Sequence, residues 1–263
     1  MIDLIGITIT FTHHNNSGGG TMFKNSTIGR SLAVLGLMAA ATGIAFATAS
    51  SGPAVSPDEA LQKLMDGNKR YVENQMTAAQ TSDAVTRTSL AKSQKPYAII
   101  LTCSDSRLPP EIVFDKGLGE IFVVRVAGNI PDPVVLGSIE YAAEHLGSPL
   151  IMVLGHERCG AVAATVASKG KTTGSPNIDA IVKTIEPSIK NAAKDCDGCK
   201  GEAKCGETKK DAFVECVVDA NVRTVAASLT KKSKILEHMV AAKKVKIVAA
   251  KYDLDDGTVT LFK

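Results

Sequence analysis

An excess of charge of either sign is lacking: 30 Lys and Arg stand against 27 Asp and Glu, a net +3 over 263 residues. An excess that small and that evenly scattered is not the electrostatic footprint of a nucleic-acid binder, so no nucleic-acid partner is expected. Tryptophan is absent and aromatic residues make up only 4% of the chain. Six cysteines are too few for a disulfide scaffold, yet more than a core needs, so some of them are expected to do chemistry. With 44% hydrophobic and 22% charged residues, the composition is that of an ordinary globular protein of one or two domains. It excludes disordered, collagenous and multi-span membrane chains.

The N-terminal region reads as an address. Lys24 and Arg30 form a basic start, Leu32 to Phe46 an apolar stretch, and Ala45-Phe46-Ala47 a small-residue cleavage site. That is the layout of a secretory signal peptide over residues 22–47. An uncleaved anchor is the rival, but the C-terminal half of the uncharged stretch is Ala, Thr, Ser, Gly and Pro, poor material for spanning hydrocarbon. Residues 1–21 carry a polar HHNNSGGG run ahead of Met22 and read as an upstream extension, with 48–55 as a linker and 56–263 as the mature domain. The expected location is periplasmic or secreted, without membrane attachment after cleavage. Removing residues 1–47 leaves 28 basic against 26 acidic residues, a near-neutral protein.

In the mature chain, Ser56-Pro57-Asp58-Glu59 is a capping box with Pro at the first helical position, and Ala60, Leu61, Leu64, Met65 and Tyr71 continue a helical stripe. Residues 74–90 are polar and aperiodic, a loop or an arm with a short helix. Tyr97 to Thr102, Ile121 to Val126 and Leu150 to Leu154 are short apolar runs with little alternation, the signature of buried parallel strands. A helix is predicted between the second and third, from Val134 to Leu146. Further helices are predicted over Ile178 to Ala193 and Ala212 to Leu229, then a strand over Val245 to Ala250 and a hairpin turning on Asp256-Gly257. The expected fold is α/β: a mostly parallel central sheet with helices on both faces and a C-terminal antiparallel addition.

Two motifs leave the predicted carboxyl ends of strands, where open α/β sheets place their ligands. Cys103-Ser104-Asp105-Ser106-Arg107 follows the first strand, and His156-Glu157-Arg158-Cys159-Gly160 follows the third. Two thiolates and one imidazole suit tetrahedral zinc, leaving a fourth position for water or a nearby carboxylate, for which Asp105 is the obvious claimant. Each cysteine alone reads as a small core hydrophobe. Two such motifs at strand ends point to a metal site instead.

CSDSR followed by HxxCG resembles the β-class carbonic anhydrases, and the likeness covers most of residues 56–263. GNKRYV at 67–72, the run from Gln94 to Asn129, SIEYAAEHLG at 138–147 and VLGHERCGAVAA at 153–164 all read like sequence of that family. The resemblance implies Zn²⁺ held by Cys103, His156 and Cys159, with Asp105 and Arg107 as a catalytic pair. The implied reaction is reversible hydration of CO₂ to bicarbonate and a proton by zinc-bound hydroxide. It also implies a closed state in which Asp105 leaves Arg107 and fills the fourth zinc position. Gln94, Phe122, Tyr141 and Gly160 occupy the substrate-pocket positions of the plant-like subtype, and a pocket shared between subunits implies a homodimer or higher oligomer. The other subtype stores bicarbonate at a second site that uses Trp, which this chain lacks. Arg125 and Asn129 are read as structural.

Cys196, Cys199, Cys205 and Cys216 remain, and the Cys-rich insertion over 191–210 departs from the family pattern. Disulfides stapling a loop, a second metal site and free thiols all fit the spacing. Two rival functions stay open at this point: a carbon disulfide or carbonyl sulfide hydrolase on the same scaffold, and a non-catalytic zinc or thiol module.

Overall fold

Ser56 starts the first helix as the sequence suggests: its hydroxyl accepts the Glu59 N–H, Pro57 occupies the first turn, and Ala60 and Leu64 turn inward. The computed structural model describes residues 55–195 and 207–263. In chain order the described residues form α1 (Pro57–Val72), α2 (Ala84–Leu90), β1 (Ala98–Thr102), α3 (Pro110–Val113), β2 (Ile121–Arg125), α4 (Pro133–Glu144) and β3 (Leu150–His156). There follow α5 (Gly160–Ser168), α6 (Pro176–Asp195), α7 (Glu207–Lys232), α8 (Lys234–Ala241), β4 (Lys246–Tyr252) and β5 (Val259–Leu261). The polar segment after α1 resolves into a short 3₁₀ turn at Ala78–Thr81 and α2.

The strands lie in the order β2-β1-β3-β4-β5; the first four are parallel and β5 pairs antiparallel to β4 through the turn containing Gly257. This is the mostly parallel sheet with an antiparallel addition expected from the apolar runs. β1 and β3 are fully buried because both faces are covered. Ile99, Leu101, Ile151 and Val153 point into one core with Ile139 of α4, Val222 and Leu229 of α7 and Leu236 of α8. Ala98, Ile100, Leu150 and Met152 point into the other, against Leu64 of α1 and Phe114. Alternate residues serving opposite cores is what a strand pleat demands.

Between β1 and β3 the order of the strands reverses, since β1 is followed outward by β2 while β3 is followed by β4. The loops leaving those two carboxyl ends diverge and open a crevice, the switch point at which doubly wound sheets bind ligands. Helix α7 presses on the end of β3 at Gly155, where a Cβ would stand 2.2 Å from Val222 Cγ2. Only glycine lets the two elements approach so closely ahead of His156.

Three expectations are adjusted. α6 and α7 are both longer than the apolar stripes suggest, and α6 carries Pro187 in its interior. α8 has no counterpart in the sequence reading; Ser233 separates it from α7 by one residue and caps it, accepting the Leu236 N–H. Cys196, Cys199 and Cys205 lie outside the described residues, as do the extension, the signal segment and nearly all of the linker. Cys216 on α7 is disulfide-bonded. No helix among the described residues is long and apolar enough to cross a membrane.

Candidate metal and catalytic site

Cys103 follows β1 directly, His156 ends β3, and Cys159 caps the N-terminus of α5. The sheet therefore brings together residues more than fifty positions apart. Their ligand atoms all lie within 4.8 Å of one another and all three side chains are buried. The His156 Nδ1 lies 2.7 Å from the Glu157 carbonyl, which can only accept, so Nδ1 carries the proton and the Nε2 lone pair faces the thiols. That Nε2 is buried without a hydrogen-bond partner. An orphaned ring nitrogen beside two buried thiols is costly unless a cation completes the set, and the donors are those Zn²⁺ prefers.

One of the two thiols is already poised for deprotonation. Cys103 is pulled down to about 4, first by a hydrogen bond from the Cys159 thiol and then, against the opposing effect of burial, by His156 and the Gly128 and Asp105 amides. The Gly128 N–H reaches Cys103 Sγ at 3.4 Å from a left-handed turn (φ 70°) that glycine adopts freely. Cys159 is pushed up by the Cys103 thiolate and by burial. Without a cation the two sulfurs share one proton, and a divalent ion takes its place. The first amides of α5 favour a thiolate at its cap. Burial works to lower the His156 value, but the Cys103 thiolate outweighs it and the net shift is upward.

Beside the cluster, Arg107 forks onto Asp105: Nε donates to Oδ1 at 2.9 Å and an Nη to Oδ2 at 2.8 Å. The guanidinium holds the Asp105 carboxyl well below the usual range. Asp105 Oδ2 stands 3.8 Å from His156 Nε2, so the carboxylate borders the position where the three donors converge. Arg125 ties this loop down, donating to the Cys103 carbonyl at 3.0 Å and the Asp105 carbonyl at 2.6 Å. Its structural reading becomes specific: it sets the backbone path between ligand and acid.

The expected pocket residues divide. Gly160 is the first residue of α5, next to Cys159. Phe122 sits on the edge strand β2 opposite Ile99, four residues from Cys103, or roughly 13 Å along the strand. Tyr141 is 42% exposed on α4, and Gln94 is exposed before β1, with Leu90 and Leu118 lining the same surface hollow.

Comparison with known proteins agrees with this geometry. The carbonic anhydrase family profile matches residues 98–259. Carbonic anhydrase 2 of Mycobacterium tuberculosis is 38% identical over 80% of this chain and 94% of its own length. The carbonic anhydrase of Mycolicibacterium smegmatis is 38% identical over 80% of this chain and 95% of its own. Among solved structures, a Coccomyxa β-carbonic anhydrase in complex with acetazolamide superposes with a TM-score of 0.60 at 25% identity, covering 77% of this chain and 86% of the other. The chain belongs to the β-carbonic anhydrases, zinc-dependent lyases that interconvert carbon dioxide and bicarbonate.

Proposed function

We propose that Cys103, His156 and Cys159 hold the zinc and that Asp105 and Arg107 complete the site for reversible CO₂ hydration. The observation that carries this reading is the convergence of three buried donors within 4.8 Å beside a forked Asp–Arg pair. Zinc in such a site supplies a Lewis acid that lets water ionise near neutral pH. Two thiolates blunt that effect relative to neutral ligands, so the chain must help. Asp105, kept ionised by Arg107, is acceptor-only; it would accept a hydrogen bond from the attacking water and so turn the lone pair toward CO₂. Arg107 also prevents Asp105 from collapsing into the metal position. Relatives 38% identical are named carbonic anhydrases, which supports CO₂ rather than its sulfur analogues as substrate. A purely structural zinc site has no use for the Asp105–Arg107 fork. Exchange of labelled oxygen between bicarbonate and water by the zinc-loaded chain tests the reading; a zinc-loaded protein that leaves the label untouched defeats it.

Gln94, Phe122 and Tyr141 complete the pocket from a second copy of the chain. Edge strand β2 has no neighbour on its outer side among the described residues, and α4, which packs on β1 and β2, exposes Val134 (79%) and Tyr141 (42%). Exposed apolar side chains and an open sheet edge are natural surfaces for self-association. The segment 22–47 acts as a cleaved signal peptide and the mature protein works in the periplasm or beyond. The basic, apolar and small-residue order of that segment and the disulfide at Cys216 support an oxidising compartment.

A further inference from the structure

We infer that Glu215 of α7 is the positioning residue for the second metal motif, fixing the turn that sets His156 and Cys159 against each other. The turn has an awkward centre. Arg158, between the two ligands, adopts φ 49°, the left-handed region that disfavours side-chain-bearing residues. Something outside the turn must hold it there. Glu215 Oε1 accepts the Arg158 N–H at 2.7 Å, a bond that reaches across 57 residues from a different element.

The remaining contacts show why this bond decides the turn. The Glu157 N–H is tied to the Tyr252 carbonyl of β4 at 3.2 Å, and the Glu157 carbonyl holds His156 Nδ1. The Arg158 guanidinium forks onto Asp255 at 2.9 Å on both arms, but that contact is exposed and fixes the side chain rather than the peptide. The Arg158 carbonyl receives a long 3.5 Å contact from Arg107. Of the contacts to the Arg158 main chain, the short one from a charged acceptor is Glu215, and charge-assisted bonds to a backbone amide are the stronger kind. Lys251 holds the carboxylate in place from the other side, 3.8 Å from Glu215 and 2.8 Å from Asp219. Rotation of the Arg158 peptide would swing Cys159 relative to His156. Glu215 thereby acts on metal geometry without touching the metal, as outer-shell partners of metal ligands do.

The inference rests on the zinc assignment above, and the experiment separates the two. Parent, Glu215→Ala and Glu215→Gln proteins, each zinc-loaded, are followed for zinc loss to a chromophoric chelator and for kcat and KM separately; cobalt-substituted samples report the sulfur-to-metal charge-transfer band. Glu215→Ala should lose zinc about 10- to 100-fold faster, shift the band and lower kcat at unchanged KM. Glu215→Gln retains an acceptor oxygen and should stay close to the parent on every readout. Parental zinc retention and an unshifted band in Glu215→Ala overturn the inference. So does a Glu215→Gln protein that is folded yet impaired, which also decides the case if the alanine variant does not fold. Absence of stoichiometric zinc in the parent defeats the metal assignment itself.

Discussion

Arg107 grips both carboxylate oxygens of Asp105, two residues back along the same loop, at 2.9 and 2.8 Å. The pair stands just beyond the metal ligand that follows β1, on a loop that Arg125 ties down by reaching over from β2 to bind the carbonyls on either side of Ser104. Asp105→Asn and Arg107→Ala should keep zinc, since neither removes a ligand, while turnover falls about a hundredfold or more. Zinc analysis and CO₂ hydration on the same samples check this; rates near the parent in zinc-replete variants contradict it.

The sulfur chemistry gives a second outcome. With Cys103 drawn to about 4 and Cys159 pushed up, the metal-free chain holds one thiolate at neutral pH. After chelation of the metal near neutral pH, iodoacetamide should modify Cys103 well before Cys159, and restored zinc should protect both. Peptide mass spectrometry reads the order directly. Equal modification of the two cysteines would show that the proton is not held on Cys159.

Asp115 anchors the arm after α1. Its buried carboxylate accepts from Arg70 Nε at 2.6 Å and from the Thr77 and Ala78 amides at 2.8 and 2.7 Å. Burial alone would raise its pKa, but these bonds prevail and the net shift is downward. A carboxylate depressed on folding contributes stability fully above its unfolded value of about 3.9, and the contribution is lost as pH falls through the lower folded value. Asp115→Asn should therefore cost about 3 kcal/mol at neutral pH. The variant's denaturation midpoint should also fall less steeply than the parent's below about pH 4. Parallel acid profiles for the two proteins would contradict the assignment.

Much of the fold and the ligand set is legible in the sequence, for physical reasons. Tyr97–Thr102 and Leu150–Leu154 read as strands because burial on both faces demands continuous apolar runs, and the ligands follow those runs immediately. The supports of the site are not legible. Gly128 donates to Cys103, Asn221 holds the Gly128 carbonyl at 3.0 Å, and Glu215 holds Arg158. Each of these contacts spans 25 or more positions and uses a common residue type with no fixed spacing to a motif. α8 escaped because the helical pattern of α7 runs up to it, with Ser233 alone marking the break.

The proposed self-association has a structural handle. Val134 and Tyr141 stand exposed on α4, and β2 is an edge strand of the sheet. Val134→Glu should shift the mature protein toward monomer in sedimentation and reduce activity most at low protein concentration. A parent that sediments as a monomer at full activity contradicts a pocket completed by a second copy.

Stopped-flow CO₂ hydration with the chain lacking residues 1–47, at about pH 7 and about pH 8.5, with zinc determined on the same sample, decides whether the zinc site hydrates CO₂. The account predicts one zinc held by Cys103, His156 and Cys159 per chain, and catalysed hydration that disappears when the zinc is removed and returns when it is restored. A protein carrying that zinc and showing no turnover at either pH would contradict it.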